Sequence, residues 1–166
     1  PKSVSRETTF LEDLWDKRLL LAHLSYLCDR LTLALREDRL YAHVIEVKAR
    51  TADFKTEIKR RLVLSPLQEM GKIYKIAEEL FLELVAGSRL ALRLVGVKAS
   101  DLVRIRPLAL FEPYSERPER LGRALDEVRD KYGFGSVLTA REKMLDAVYA
   151  FDPRRGYVLK TASLTK

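Results

Sequence analysis

The sequence has few of the residues that form covalent or metal cross-links. Cys28 is the only cysteine among 166 residues, and there are two histidines. One thiol excludes an internal disulfide and a zinc site built from several cysteines. We expect Cys28, which lies beside an apolar stripe, to be a core residue rather than a reactive thiol. His43 has no second histidine or acid at ligand spacing, so we expect a core or edge residue rather than a ligand.

Two further features are missing, a long hydrophobic run and a secretory leader. No apolar stretch reaches the length that spans a membrane, and the first residues lack the pattern of a signal peptide. Together with the scarcity of cysteine, this predicts a cytoplasmic protein. The sequence opens on Pro1 rather than Met, so we expect a piece of a longer protein.

The composition is that of a folded, basic protein. Hydrophobic residues make up 47% of the chain and charged residues 33%, which is typical of a globular protein. The formal net charge is +7, which favours a phosphate-rich partner. The length allows one domain, or one domain with an appendage.

Two stretches have the apolar spacing of amphipathic helices. The pattern T-x-x-E at Thr9–Glu12 is typical of a capping box and predicts the start of the first helix. Ser65 and Pro66 predict the start of the second helix, with serine as the cap and proline in the first turn. The apolar stripe of the first helix repeats at steps of three and four: Leu20, Leu24, Leu27, Leu31 and Leu35.

Four further stretches favour β-strands, at 2–10, 41–50, 54–64 and 89–98. The predicted order is strand, helix, strand, strand, helix, strand. This order predicts an α+β two-layer sandwich, with a four-stranded sheet and both helices on one face. The other face of the sheet is then left open, and we expect Lys48, Arg50, Lys59 and Arg93 to point from it.

The last predicted strand carries a distinctive pattern. Strand alternation places Leu90, Leu92 and Leu94 on one face and Arg93 on the other. Gly96 leaves the backbone bare for close approach by another chain. A strand with one apolar face and one cationic face can pack on a core and bind a polyanion. An edge strand with solvated arginines has the same pattern.

Beyond residue 103 the character of the sequence changes. We predict a sheet domain at 1–103, a linker at 104–115 and a partly helical C-terminal extension at 116–166. The extension has an apolar stripe between 116 and 131, and Gly133 and Gly135 end it.

Three segments resemble one family of proteins. The segments KSVSRETTF at 2–10, DFKT at 53–56 and LRLVGV at 92–97 are similar to strands of the little finger domain of Y-family translesion DNA polymerases, in the bacterial polymerase IV branch. The three motifs occur in order within residues 1 to about 100. Segments of the extension, LGRALD at 121–126 and KYG at 131–133, are similar to the part that follows this domain in several bacterial members.

The resemblance implies a DNA-binding module that grips the backbones of template and primer without reading bases. It also implies that nucleotidyl transfer and the Mg²⁺ ions it needs belong to the palm of a parent polymerase. This chain shows no paired carboxylates for such metals, so we expect no polymerase activity from it alone. Ile58 departs from the small polar residue usual in the family, which puts the phosphate contact there in doubt. The predicted DNA-binding residues are Lys2, Ser3, Ser5, Arg6, Lys48, Arg50, Thr56, Lys59, Arg93, Gly96 and Lys98.

A short segment of the linker resembles the peptide with which such polymerases bind a sliding clamp. In PLALF at 107–111, Pro107 replaces the glutamine that usually opens this peptide. The resemblance implies clamp contacts by Leu108, Leu110 and Phe111, and the alternative is a linker packed on its own domain.

Two other functions remain open. An RNA-binding module of similar α/β build would stack bases on exposed aromatic side chains of the sheet. A protein-interaction module would use the extension as its working part. An enzyme that acts on a small molecule is the weakest hypothesis, because the sequence has no nucleophile–base pair and no phosphate loop.

Overall fold

The computed structural model describes residues 2–104 and 117–160. The first part contains a four-stranded antiparallel sheet and two helices, in the predicted order, which confirms the α+β fold. No helix in these described residues is both long and apolar enough to cross a membrane. The elements are β1 (Ser3–Leu14), α1 (Lys17–Glu37), β2 (Tyr41–Thr51), β3 (Thr56–Leu67), α2 (Met70–Val85) and β4 (Leu92–Val103).

Both helices pack on the same face of the sheet, whose strand order is β1-β4-β2-β3. Helix α1 contacts β1 and β4, and α2 contacts β2 and β3. Ile45, Val47 and Val97 project from the sheet into the core between these layers. Cys28 is fully buried in that core, as predicted, and burial raises the pKa of its thiol. His43 lies in the central strand β2 and is half-buried, with Nδ1 3.0 Å from the carbonyl oxygen of Val63 in β3.

The predicted capping box at Thr9–Glu12 is wrong. Strand β1 continues to Leu14 through an irregular segment in its pairing with β4. The helix instead begins after Asp16, whose Oδ1 accepts a hydrogen bond of 2.8 Å from the backbone N–H of Arg18. The helix starts at this cap rather than at Thr9 because Leu14 still pairs with Leu92 of β4.

The predicted helix start at Ser65 and Pro66 is also wrong. Strand β3 continues to Leu67, which pairs with Ala42, and α2 begins only at Met70. Proline is tolerated here because β3 is an edge strand and its missing N–H costs no ladder bond on the free side.

Strand β4 begins at Leu92, three residues later than predicted, and carries a bulge at Arg93. Arg50 pairs with Leu94 and Thr51 with Leu92, so Arg93 is the extra residue. The expectation that Leu90, Leu92 and Leu94 share a face is therefore wrong. Leu92 lies in the core, Leu94 lies on the opposite face of the sheet, and Leu90 is exposed outside the strand.

The C-terminal extension forms a third layer on the outer side of α1. It contains α3 (Arg117–Tyr132), 3₁₀ turns at Phe134–Ser136 and Glu142–Ala147, and a small hairpin of β5 (Phe151–Asp152) and β6 (Gly156–Tyr157). A second apolar cluster joins it to α1 and includes Tyr26, Leu145 and Tyr157. The helical segment predicted between 116 and 131 is confirmed.

Candidate nucleic-acid interface

The face of the sheet that carries no helix, within the described residues, is the candidate interface. We call it the open face. Val47, Val97 and Ala49 point into the core, so their neighbours along each strand point to the open face. The residues that register and alternation place on it are Ser3, Ser5, Glu7, Thr9, Val44, Glu46, Lys48, Arg50, Thr56, Ile58, Arg60, Leu62, Leu94, Gly96, Lys98 and Ser100.

Seven of the eleven predicted DNA-binding residues lie on the open face: Ser3, Ser5, Lys48, Arg50, Thr56, Gly96 and Lys98. Ser3 and Ser5 occupy the edge strand β1 and are exposed. Lys48 and Lys98 occupy the two central strands β2 and β4, with Glu46 opposite Lys98.

The charges of the open face are mixed rather than purely cationic. Lys48 forms a salt bridge with Glu7, and Nζ of Lys98 lies 3.9 Å from a carboxylate oxygen of Glu46. The Nε of Arg50 donates a hydrogen bond of 2.8 Å to Oγ1 of Thr56. The basic side chains are thus held in place by short-range partners, and their charges are partly neutralised.

Gly96 explains how one of these ion pairs crosses the sheet. It lies between Glu7 on one side and Lys48 on the other. A Cβ atom at Gly96 would lie 2.9 Å from Cβ of Glu7, closer than side chains approach. The bare backbone expected at Gly96 is therefore covered in part by its neighbours.

Lys59 does not lie on the open face, which corrects the prediction from the sequence. It is paired with the core residue Val47 and points to the helical side. Its Nζ lies 2.9 Å from a carboxylate oxygen of Glu83 in α2, and this hydrogen bond lowers the pKa of Glu83. The basic run at 59–61 alternates, so Lys59 and Arg61 brace α2 while Arg60 faces outward.

Register and alternation do not place Arg6 and Arg93 on the open face either. Arg6 is paired with Val97, which points into the core, so it projects from the edge strand on the helical side. Arg93, displaced by the bulge, lies at one end of the sheet with its guanidinium 4.6 Å from the ring centre of Phe54. Lys2 is exposed just before β1.

On β3, three open-face residues are absent from the predicted DNA-binding set: Ile58, Arg60 and Leu62. Arg60 is exposed between Ile58 and Leu62, whose exposed fractions are 53% and 67%. Continuing the alternation from Thr56 would have found all three. They give the outer strand a partly apolar, partly cationic surface.

The described residues contain no cluster of three or more histidine, cysteine or acidic side chains able to hold a metal ion. The predicted clamp-binding residues Leu108, Leu110 and Phe111 lie outside the described residues. This part of the chain presents a broad surface on which basic and small polar side chains lie among acidic and apolar ones.

Comparison with known proteins gives a consistent family. Residues 1–110 match the model of the impB/mucB/samB family C-terminal domain. The chain is 36% identical over 148 residues to DNA polymerase IV of Dehalococcoides mccartyi (strain ATCC BAA-2100), a match that covers 89% of this chain and 38% of that protein. DNA polymerase IV of Caulobacter vibrioides is 31% identical over 142 residues, covering 84% of this chain and 35% of the relative. The chain thus spans little more than a third of these relatives.

Solved structures share the fold. An insertion ternary complex of Dbh DNA polymerase superposes with a TM-score of 0.55 at 22% identity, over 61% of this chain and 28% of that one. A complex of the beta-clamp processivity factor with the little finger domain of PolIV gives a TM-score of 0.51 at 23% identity, over 66% of this chain and 99% of that one. Because the family model covers well over half of its residues, the chain belongs to the impB/mucB/samB family through its C-terminal domain.

Proposed function

We propose that this chain is the DNA-binding little finger domain, with a C-terminal extension, of an error-prone translesion DNA polymerase of the polymerase IV type. The observation that carries the proposal is the open face, a sheet surface that no described helix covers, with Lys48, Arg50, Arg60 and Lys98 in a chain of this family. Basic side chains spread over a sheet grip the sugar-phosphate backbone without reading bases.

The exposed ion pairs of the open face suit this role. The side chains of Lys48–Glu7 and Lys98–Glu46 are between 19% and 41% exposed, and ion pairs in contact with water contribute little free energy. The lysines therefore exchange a carboxylate for a phosphate at small cost. Ser3 and Ser5 have short side chains, which let a phosphate approach the backbone N–H groups of the edge strand.

We further propose that the parent protein catalyses DNA-directed DNA synthesis past lesions in the bacterial cytoplasm. A palm domain outside this chain would bind the Mg²⁺ ions and catalyse nucleotidyl transfer. The palm and the thumb of the parent protein would be neighbours of this domain. In this arrangement 1–103 binds DNA, 104–115 links and 116–166 is the extension.

The test compares two charge-matched double variants. R50A/K98A removes two cations from the open face, and K59A/R61A removes two cations from the helical side of the same sheet. We expect R50A/K98A to weaken binding of a primer–template duplex about tenfold or more on all sequences, because each lost phosphate contact costs roughly fivefold at physiological salt. K59A/R61A should bind nearly as the wild type does. Equal effects of the two variants in a fluorescence anisotropy titration would refute the proposal.

The RNA-binding alternative is less well supported. The open face carries no aromatic side chain among the residues placed on it, whereas sheets that bind single-stranded RNA stack bases on aromatic rings. A competition titration in which single-stranded RNA displaces duplex DNA at equal concentration would favour RNA.

A second function, binding of the sliding clamp through the segment at 107–111, is favoured by the related complex of a little finger with the beta-clamp. We expect the triple variant L108A/L110A/F111A to lose clamp binding in a pull-down or calorimetric titration while DNA binding is unchanged. A triple variant that binds the clamp ring as tightly as the wild type would show that the segment is only a linker.

A further inference from the structure

A cationic groove lies behind the edge strand β1, outside the open face. Its walls are β1, the outer side of α1 and the β5–β6 hairpin of the extension, and its volume is about 600 Å³. Leu27, Leu33 and Leu159 are among the apolar residues that line it. We call it the hairpin groove.

Four arginines line the hairpin groove: Arg6 from β1, Arg30 from α1, and Arg154 and Arg155 from the hairpin. Among the described residues, Glu7 and Glu37 are the acidic ones in its lining, and Glu7 already forms a salt bridge with Lys48. Asp152 lies behind the turn, where its Oδ1 accepts the backbone N–H groups of Arg154 and Arg155. The groove therefore keeps a net positive charge that favours a polyanion.

Arg30 is held in place by a backbone carbonyl and an aromatic ring rather than by a carboxylate. The Nη2 of Arg30 donates a hydrogen bond of 3.0 Å to the carbonyl oxygen of Arg155, and its guanidinium lies 4.1 Å from the ring centre of Phe134. Arg6, Arg154 and Arg155 are exposed. The hydrogen bond from Arg30 to the Arg155 carbonyl thus joins α1 to the hairpin. As a result, arginines of β1, α1 and the hairpin lie along one groove.

The hairpin groove and the open face lie on the two sides of β1 and adjoin at Glu7. Glu7 lines both this groove and a smaller depression on the open face that also contains Gly96 and Lys98. A duplex lying on the open face cannot turn around this edge, because double-stranded DNA is stiff over about 150 base pairs. A single strand that leaves the duplex bends freely, and a positively charged groove can follow its backbone.

We propose that the hairpin groove binds a single-stranded DNA segment that continues from the duplex on the open face. The inference rests on the proposed function, since it takes the open face as the duplex site. It assigns the C-terminal extension a direct part in DNA binding, through Arg154 and Arg155.

The experiment uses the whole chain and two DNA probes with the same duplex, one blunt and one with a 5′ single-stranded overhang of about 12 nucleotides, within the range of known single-strand sites. We expect R154A/R155A to weaken binding of the overhang probe about tenfold and to leave the blunt probe nearly unchanged. The slope of log affinity against log salt concentration for the overhang probe should become shallower by about 1.4. This is the change expected when two phosphate contacts to a single strand are lost.

The matched control is R120A/R123A, which removes the same charge from exposed positions of α3 that do not line the groove. It should bind both probes as the wild type does. A wild type that does not prefer the overhang probe, or a control that loses the preference equally, would overturn the inference. If the blunt probe binds and depends on Arg50 and Lys98, the proposed function stands even where this inference fails. If neither probe binds, both fail.

Discussion

At the scale of single residues, the most consequential feature is a buried ion pair that joins the extension to α1. Both Nη atoms of Arg129 donate to the carboxylate of Asp29, at 2.9 and 2.6 Å, and Nη2 also donates to the carbonyl oxygen of Val137 at 2.7 Å. The side chains are only 5% and 7% exposed. Such a pair adds little net stability when intact, but breaking it leaves an uncompensated buried charge.

We therefore expect Asp29→Ala to lower the free energy of unfolding by about 3–5 kcal/mol, because the Arg129 guanidinium stays buried without its partner. Urea denaturation monitored by circular dichroism measures this. Lys143→Ala breaks an exposed pair with Asp146 and serves as the control, with a cost below about 1 kcal/mol. Equal losses in the two variants would contradict the prediction.

Glu142 gives the extension a pH dependence. It is fully buried, accepts the backbone N–H of Thr139 at 2.8 Å, and has its pKa raised to about 7 by burial and by the charge of Asp29. A carboxyl whose pKa is higher in the folded state stabilises the fold below its unfolded pKa, and this contribution is lost as the pH rises through the folded value.

Between pH 5 and 8 we expect the wild type to lose up to about 3 kcal/mol of stability relative to Glu142→Gln, which cannot ionise. His23, whose pKa burial lowers to about 4, has the opposite dependence, and its contribution cancels in the comparison. Urea midpoints of both proteins at the two pH values provide the measurement. Parallel pH profiles would show that Glu142 is not the titrating group.

Gly96 provides a prediction for the open face. An alanine there would bring its Cβ to 2.9 Å from Cβ of Glu7, so the strands must shift, and we expect a loss of about 1–3 kcal/mol. Gly71 in α2 is the matched comparison, because a Cβ there meets nothing closer than 3.9 Å. Gly71→Ala should stabilise by about 0.5–1 kcal/mol. Thermal unfolding of both variants tests the pair, and a neutral Gly96→Ala would contradict the steric argument.

At the scale of elements, periodicity predicted which strands and helices exist, while pairing decided where they begin and end. The helix signals at Thr9 and at Ser65 were overruled because β1 and β3 each gained further strand pairing. The bulge at Arg93 also arises from strand pairing, and no pattern in the sequence predicts it. It places Leu94 on the opposite face of the sheet from Leu92.

The extension is an element whose packing the sequence did not reveal. Its apolar residues complete a cluster with Ala22 and Tyr26 of α1, and Tyr26 accepts the backbone N–H of Tyr157 at 2.9 Å. A chain that ends at residue 103 would expose this side of α1 to water. We expect it to be less stable than the full chain by at least about 2 kcal/mol, and to bind a hydrophobic dye. Identical urea midpoints of the two chains would show that the extension is only loosely attached.

At the scale of the whole molecule, the net charge of +7 is not concentrated on the open face. Basic residues also brace α2, through Lys59 and Arg61, and line the hairpin groove. The net charge therefore favours a phosphate-rich partner as a hypothesis, but it gave no guide to where each cation lies.

This distribution makes the salt dependence of DNA binding informative. With about 4–6 phosphate contacts, we expect the logarithm of affinity for a blunt duplex to fall with the logarithm of salt at a slope of roughly −4 to −5. R50A/K98A should reduce the slope by about 2, and the sequence of the duplex should have little effect. Titrations at several salt concentrations provide the measurement, and a slope near zero would exclude a phosphate-based interface.

The sequence by itself determined the order of elements, the fold class and the family resemblance, because amphipathic periodicity and strand motifs are local properties of the chain. Seven predicted DNA-binding residues reached the open face for the same reason, since strand alternation is local wherever the ladder is regular. The same alternation, continued from Ser5 and Thr56, separates Arg6 and Lys59 from the open face, so the sequence could have excluded both. Tertiary structure alone decided the bulge at Arg93 and the docking of the extension on α1. These depend on register and on contacts between residues distant in the chain, and their free energy becomes available only when the strands pair and the layers pack.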